Sequence, residues 1–399
     1  MQKLFCLGLL LVFMQGILNF LLGGILSPET SILFFFPLSV YIFAFVLISK
    51  LSFKSIEREW RYAFFSFALV LVYATFMNRD LYVLGFIRAW FMPLILFLAC
   101  KYQSVSDRNL QKCTNILFLF MIANFVVAYY ERYTTTNFMI MADNIADEER
   151  GIIRDLFEFR ANGLMGHPLG CGQLTSLFLS FILISNCKEK AKMYFCAAAF
   201  IAMMCFNTRF SLVMCAFSFG LFIIHNIKNS RKKTSYIIMF IIMVALSAYV
   251  LLNTGLGGRI MNIGLYGNDE SSMARTDIFA IFNYIDLKTI LFGDTDSMLQ
   301  RIRMISDTDN LIIENPFLVY MLSVGAILTT ILFLFYYKLL LTFTTDWTLY
   351  EKCMIFIPWV CNVFSSISLA GGSTHISWLI VFCYLYNKNK TLFYNRNRL

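Results

Sequence analysis

The residues best suited to chemistry lie in Arg160-Ala-Asn-Gly-Leu-Met-Gly-His-Pro-Leu-Gly-Cys-Gly172. Arg160 carries a permanent charge and a planar five-donor fork that matches phosphate oxygens. Gly163, Gly166, Gly170 and Gly172 let a ligand or a second backbone come close. Pro168 suits the first turn of a helix, which puts His167 at that helix's N-terminus. Such an end has unsatisfied N–H groups and a partial positive charge, so it favours anions.

Three further arginines share this chemistry. Arg88 falls about seven residues, roughly 10 Å, into an apolar run. A charge at that depth needs a wet cavity or a partner, and the bland alternative is snorkelling or pairing with Asp80. Arg209, in Asn-Thr-Arg-Phe-Ser, sits in a short polar hairpin between two apolar runs. Arg275 opens the stretch Met273–Leu291, whose alternation of Ile278, Phe279, Ile281 and Phe282 with charged residues predicts an amphipathic helix. Four arginines on one side of a membrane would suit a pyrophosphate.

A reaction that moves a proton beside such an anion site would also need a base. Glu314, in Ile-Ile-Glu-Asn-Pro-Phe, and His167 are the candidates. His375 is a weaker third, and His225 is expected on the opposite side. Asp294-Thr-Asp296 and Asp307-Thr-Asp309 imitate a metal-binding acidic pair but read as turns. No ligand set for a metal is expected, and no cofactor.

The elements that must position these residues follow from composition. The chain is 59% apolar and 14% charged, with 43 Phe. A soluble domain carries about 25% charged residues, so the class is an all-α polytopic membrane protein in one body, residues 1–399. A span needs roughly 20 apolar residues, and twelve are expected: about 4–26, 31–49, 62–78, 81–100, 114–131, 164–186, 193–207, 209–226, 235–253, 316–338, 353–370 and 375–387. The seventh and twelfth are short. No cleavage signal precedes Ser27, so 4–26 is expected to be the first span.

Charge sets the orientation. With Lys3 inside, the inner gaps hold 21 of the 33 Lys and Arg but 6 of the 24 Asp and Glu. Both termini are then cytoplasmic. Two large outer loops are expected, 132–163 and 254–315, the first a charged, water-facing segment from Glu131 to Arg160. The net charge of +9 follows this sidedness and forms no nucleic-acid stripe. Eleven scattered cysteines without paired spacing predict no disulfide framework and no zinc site.

Arg160-x-x-Gly-Leu-x-Gly-His-Pro-Leu resembles the signature of the bacterial O-antigen polymerase (Wzy) and O-antigen ligase superfamily. Asn207-Thr-Arg-Phe-Ser211 is similar to its polar hairpin. Ser271–Arg275 through Leu291-Phe-Gly293, and Glu314-Asn-Pro-Phe-Leu-Val-Tyr320 with Gly325, resemble the two ends of its large periplasmic loop. The resemblance implies a GT-C-like membrane glycosyltransferase that needs no metal, in the bacterial inner membrane with its active site facing the periplasm. Donor and acceptor would be glycans on undecaprenyl diphosphate, transferred with inversion. The surrounding lipids and a chain-length regulator would be partners. Arg160, Arg209 and Arg275, with Arg88, would hold the diphosphate. Glu314 stands where ligases have His, which favours a polymerase and leaves the base as Glu314 or His167. A ligase, or a lipid-glycan flippase, is the alternative.

Overall fold

The computed structural model describes residues 1–23, 38–49, 58–77, 83–138, 159–229, 285–293, 315–364 and 374–396, with isolated residues between 234 and 249. Among these residues the secondary structure is helical throughout, without a strand. In chain order the helices are α1 (Gln2–Leu11), α2 (Gln15–Gly23), α3 (Leu38–Ile48), α4 (Arg58–Phe76), α5 (Val83–Phe86), a π-helical turn (Ile87–Phe91), α6 (Met92–Tyr102) and α7 (Asp107–Thr134). A 3-10 turn (Gly163–Met165) follows, then α8 (Pro168–Ile184), α9 (Glu189–Phe206), α10 (Arg209–Asn229), α11 (Leu287–Phe292), α12 (Pro316–Val324), α13 (Ala326–Thr344), α14 (Leu349–Phe364) and α15 (His375–Arg396).

Three of the described helices are long and apolar enough to cross a membrane: Asp107–Thr134, Arg209–Ile227 and Ala326–Thr344. Gln2–Leu11, Leu38–Ile48, Phe65–Phe76 and Pro168–Ile184 are shorter apolar helices. Among the described residues, two of the expected spans are interrupted. The first expected span divides at Val12–Met14 into α1 and α2. The tenth divides at Gly325, which has φ +91 and whose Cβ would strike the Leu291 carbonyl. Only glycine tolerates both the dihedral and that approach, so α12 ends there and α13 starts afresh, running on to Thr344. The two spans expected to be short are helices of 18 and 22 residues.

The start signals behave as their chemistry requires. His167 is extended and Pro168 opens α8. Asn315 caps α12, its side-chain oxygen accepting from Phe317 and Leu318 N–H at 3.0 and 3.2 Å, with Pro316 in the first turn. Of the expected amphipathic helix Met273–Leu291, the part described is α11, capped by Asp286. Residues 273–284 lie outside the described residues.

α8 is buried along its whole length from Cys171 to Ile184, as is α15 from His375 to Tyr386. Buried on every side, such helices belong at the centre of a bundle. They meet through Phe178 and Phe181 against Phe382, at 5.8 and 5.2 Å between centroids. α4 and α13 instead turn apolar residues outward: Phe65 is 70% exposed and Leu334 60%. An outward apolar face is what a lipid solvent allows.

The contacts also sort the two ends of the bundle. At one end Gln2 accepts from Asn109, Lys192 donates to the Leu183 carbonyl at 2.6 Å, His225 stacks on Tyr350, and Lys390 meets Glu351. At the other end lie the start of α8, the Asn207–Arg209 hairpin and the start of α15. α7 runs on to Thr134, past residue 132, where the first loop is expected to begin. Glu131 and Arg132, expected in water, are buried at 0% and 6% exposure. The helix carries them into the bundle because both have backbone partners there.

Candidate functional site

The segment Phe159–Gly166 is held down by three polar side chains of α7. Arg132 donates to the Phe159 carbonyl at 2.5 Å. Glu131 accepts the N–H groups of Gly163 and Phe138, each at 2.7 Å. Asn124, four turns into an apolar helix, accepts the Leu164 N–H at 2.7 Å and the Cys171 thiol at 3.5 Å. Buried acceptors of this kind fix a backbone because leaving an N–H unmet in an apolar interior is costly.

The glycines of this segment divide by cause. Gly163 has φ +55, and its Cβ would lie 2.6 Å from the Asn124 oxygen. Gly172 abuts the Thr208 hydroxyl and the Ser211 side chain. These two serve close packing. A Cβ on Gly170 would meet open space, so packing does not demand glycine there.

Arg160 is positioned by its neighbours on either side. The Ala161 N–H donates to the Cys205 carbonyl at 3.0 Å, which ties the segment to the end of α9. Two residues on, α9 closes at Asn207 in the left-handed conformation, and α10 starts at Arg209. Thr208 and Ser211 pack against Gly172 of α8. The structure thus brings the Arg160 segment, His167 and the Arg209 hairpin to one end of the bundle. Arg160 and Arg209 are partly exposed there, and His167 is exposed.

The helices around them run with matched polarity. α8 and α10 are parallel, since Gly172 meets Thr208 near their starts and Ser180 meets Ser218 at 2.7 Å deeper in. His375, the first residue of α15, bonds Gln173 of α8. Three helix N-termini therefore open side by side, each with a positive dipole end. The carbonyl end of α9 is answered in part by the Ala161 N–H. Two arginines beside these ends make a rim that favours an anion with several oxygens.

Arg88 stands on a different element. It lies in the π-helical turn, whose Trp90 packs against Tyr320, Phe333 and Tyr336 of α12 and α13. Arg275 and Glu314 lie outside the described residues, as do Asp294, Asp296, Asp307 and Asp309. Among the described residues no group of three His, Cys, Asp or Glu side chains gathers as a metal site. All eleven cysteines are free thiols.

Several residues at this end carry no motif: Asn124, Glu131, Gln173, Asn362 and His375, the weakest of the three base candidates. The signal that could have found them is a polar side chain inside an apolar run, which is costly in a membrane unless it has partners. Comparison of the chain with protein-family models, with curated proteins and with solved structures finds no match.

Proposed function

We propose that this chain is a polysaccharide polymerase of the O-antigen type. It transfers a growing glycan from undecaprenyl diphosphate onto the sugar end of a lipid-linked repeat unit. The observation that carries this reading is the convergence of Arg160 and Arg209 on adjoining elements, beside the N-termini of α8, α10 and α15. In the reaction an acceptor hydroxyl attacks the anomeric carbon while a base takes its proton. The bond from that carbon to the diphosphate oxygen breaks, and the configuration inverts. Glu314 or His167 is the base. Arg160 and Arg209, with Arg275 and Arg88, stabilise the charge that develops on the departing diphosphate. Arginine can do this without a metal, because its fork binds two oxygens of the leaving group at once. The acyl chain of such a substrate requires a site at the membrane's rim, and apolar helices around a polar end meet that need.

The test is a gene deletion complemented with wild-type or variant protein, with surface polysaccharide resolved on a gel. Loss of a polymerase leaves a single repeat unit attached to its carrier and no ladder. Arg160→Ala and Arg209→Ala are expected to give that pattern while the protein still inserts. Loss of every attached unit would assign a ligase instead. Lipid-linked units trapped on the cytoplasmic side would assign a flippase.

A further inference from the structure

Below the rim lies a closed polar cluster that the proposed chemistry does not use. Asn362 of α14 accepts the Ser211 hydroxyl of α10 at 2.9 Å and donates to the Ser176 hydroxyl of α8 at 2.6 Å. Gln173 of α8 donates to the Asn362 carbonyl at 3.0 Å. Its other face meets the His375 ring of α15. The His375 carbonyl in turn accepts the Trp359 indole N–H at 2.9 Å. Gln173, Ser176, Ser211, Asn362 and His375 are all buried, none above 4% exposure.

The donors settle the orientations. A carbonyl can only accept, so the Gln173 nitrogen faces Asn362 and its oxygen faces His375. His375 therefore carries a proton on Nε2 and donates it to Gln173. The Asn362 amide spends its oxygen on Ser211 and its nitrogen on Ser176 and the Pro358 carbonyl. Such a cluster joins four helices with one set of directional bonds.

Position gives it significance. Gln173 lies within two turns of His167, Ser211 lies two residues after Arg209, and His375 opens α15. Sliding any of these helices would shift a site residue at its tip. Apolar side chains in lipid do not resist such sliding strongly, because lipid and neighbour are equally apolar. Buried hydrogen bonds do.

We infer that Gln173, Asn362 and His375 are positioning residues that fix the Arg160 segment and the Arg209 hairpin at the spacing a lipid diphosphate requires. This rests on the polymerase reading for its ligand. Ser180 and Ser218 join α8 to α10 farther from the site and supply the control.

The test uses the full chain in lipid nanodiscs, with undecaprenyl diphosphate as the probe, reading its Kd alongside the melting temperature. Asn362→Leu and His375→Leu are expected to weaken binding by about tenfold or more, since small misplacements of a site are costly. Ser180→Val is expected to lower the melting temperature and leave Kd within about twofold, which a purely structural role would not separate. His375→Gln keeps a donor toward Gln173 and is expected to recover most of the affinity that His375→Leu loses. If Asn362→Leu fails to insert, Ser211→Ala, which removes one donor, is expected to weaken binding in the same direction. Wild-type affinity in Asn362→Leu or Ser211→Ala overturns the inference, as does His375→Gln behaving like His375→Leu. Wild-type protein that does not bind undecaprenyl diphosphate sinks the polymerase reading itself.

Discussion

At the end of the bundle carrying Lys192 and Lys390, Glu351 lies 2.7 Å from the Lys390 ammonium and also meets the Tyr386 hydroxyl and the Thr348 N–H. At the opposite end Glu131 accepts two backbone N–H groups, from Gly163 and Phe138. Both carboxylates are buried, yet they do different work. Glu351 ties α14 to the end of α15 through a mobile side-chain charge. Glu131 ties down a backbone, and that backbone carries Arg160. Side-chain ion pairs tolerate adjustment, because a lysine stem can swing. Backbone bonds to a fixed acceptor do not, and this rigidity suits the end where the proposed ligand would bind.

Substitutions can break this contrast. Glu131→Ala is expected to have the largest effect. It leaves the buried Gly163 N–H without its acceptor and removes the partly buried bond to Phe138, a loss of about 2–3 kcal/mol. Melting of the purified protein measures it, and affinity for undecaprenyl diphosphate is expected to fall with it. An unchanged melting temperature would erase the distinction between the two ends.

Next come the glycines. Gly172→Ala drives a methyl into the Thr208 hydroxyl and is expected to cost roughly 1–3 kcal/mol. Gly170→Ala meets open space and is expected to raise stability by about 0.5–1 kcal/mol, because alanine loses less entropy in a helix. Equal effects at the two positions would contradict the packing described here.

Glu351 sharpens the comparison through pH. Burial opposes its ionisation, but Lys390, Tyr386 and the Thr348 N–H favour the anion more and hold its carboxyl below the usual range. The folded state therefore prefers the anion more than the unfolded chain does. The stability this gives is fully present above the ordinary glutamate pKa of about 4.3 and is lost as pH falls through the lower folded value. Glu351→Gln is expected to remove that acid-dependent loss, measured by melting between about pH 6 and pH 3, and to cost about 1–2 kcal/mol at neutral pH. Its polysaccharide ladder is expected to match wild type. The smallest effect belongs to Ser180→Ala, about 0.6 kcal/mol, as one hydroxyl pair between membrane helices contributes.

The apolar runs and their punctuation announced an all-helical chain of membrane type. Pro168 and Pro316 open helices where their fixed φ predicts, and the hairpin at Asn207–Arg209 turns where polar residues interrupt. Arg160, His167 and Arg209 were legible as site candidates because charge and glycine are rare in such a sequence. Span count was less legible. The break at Gly325 comes from what packs against it, which no hydropathy window contains.

Residue type and local spacing thus determined the helices and their starts. Tertiary structure alone decided that Glu131 and Arg132 are buried supports, and that Gln173, Asn362 and His375 belong together across about two hundred residues of chain. The reason is physical. A helix apolar on every side gives no sign of which face meets which neighbour, so only packing can say which polar groups find each other.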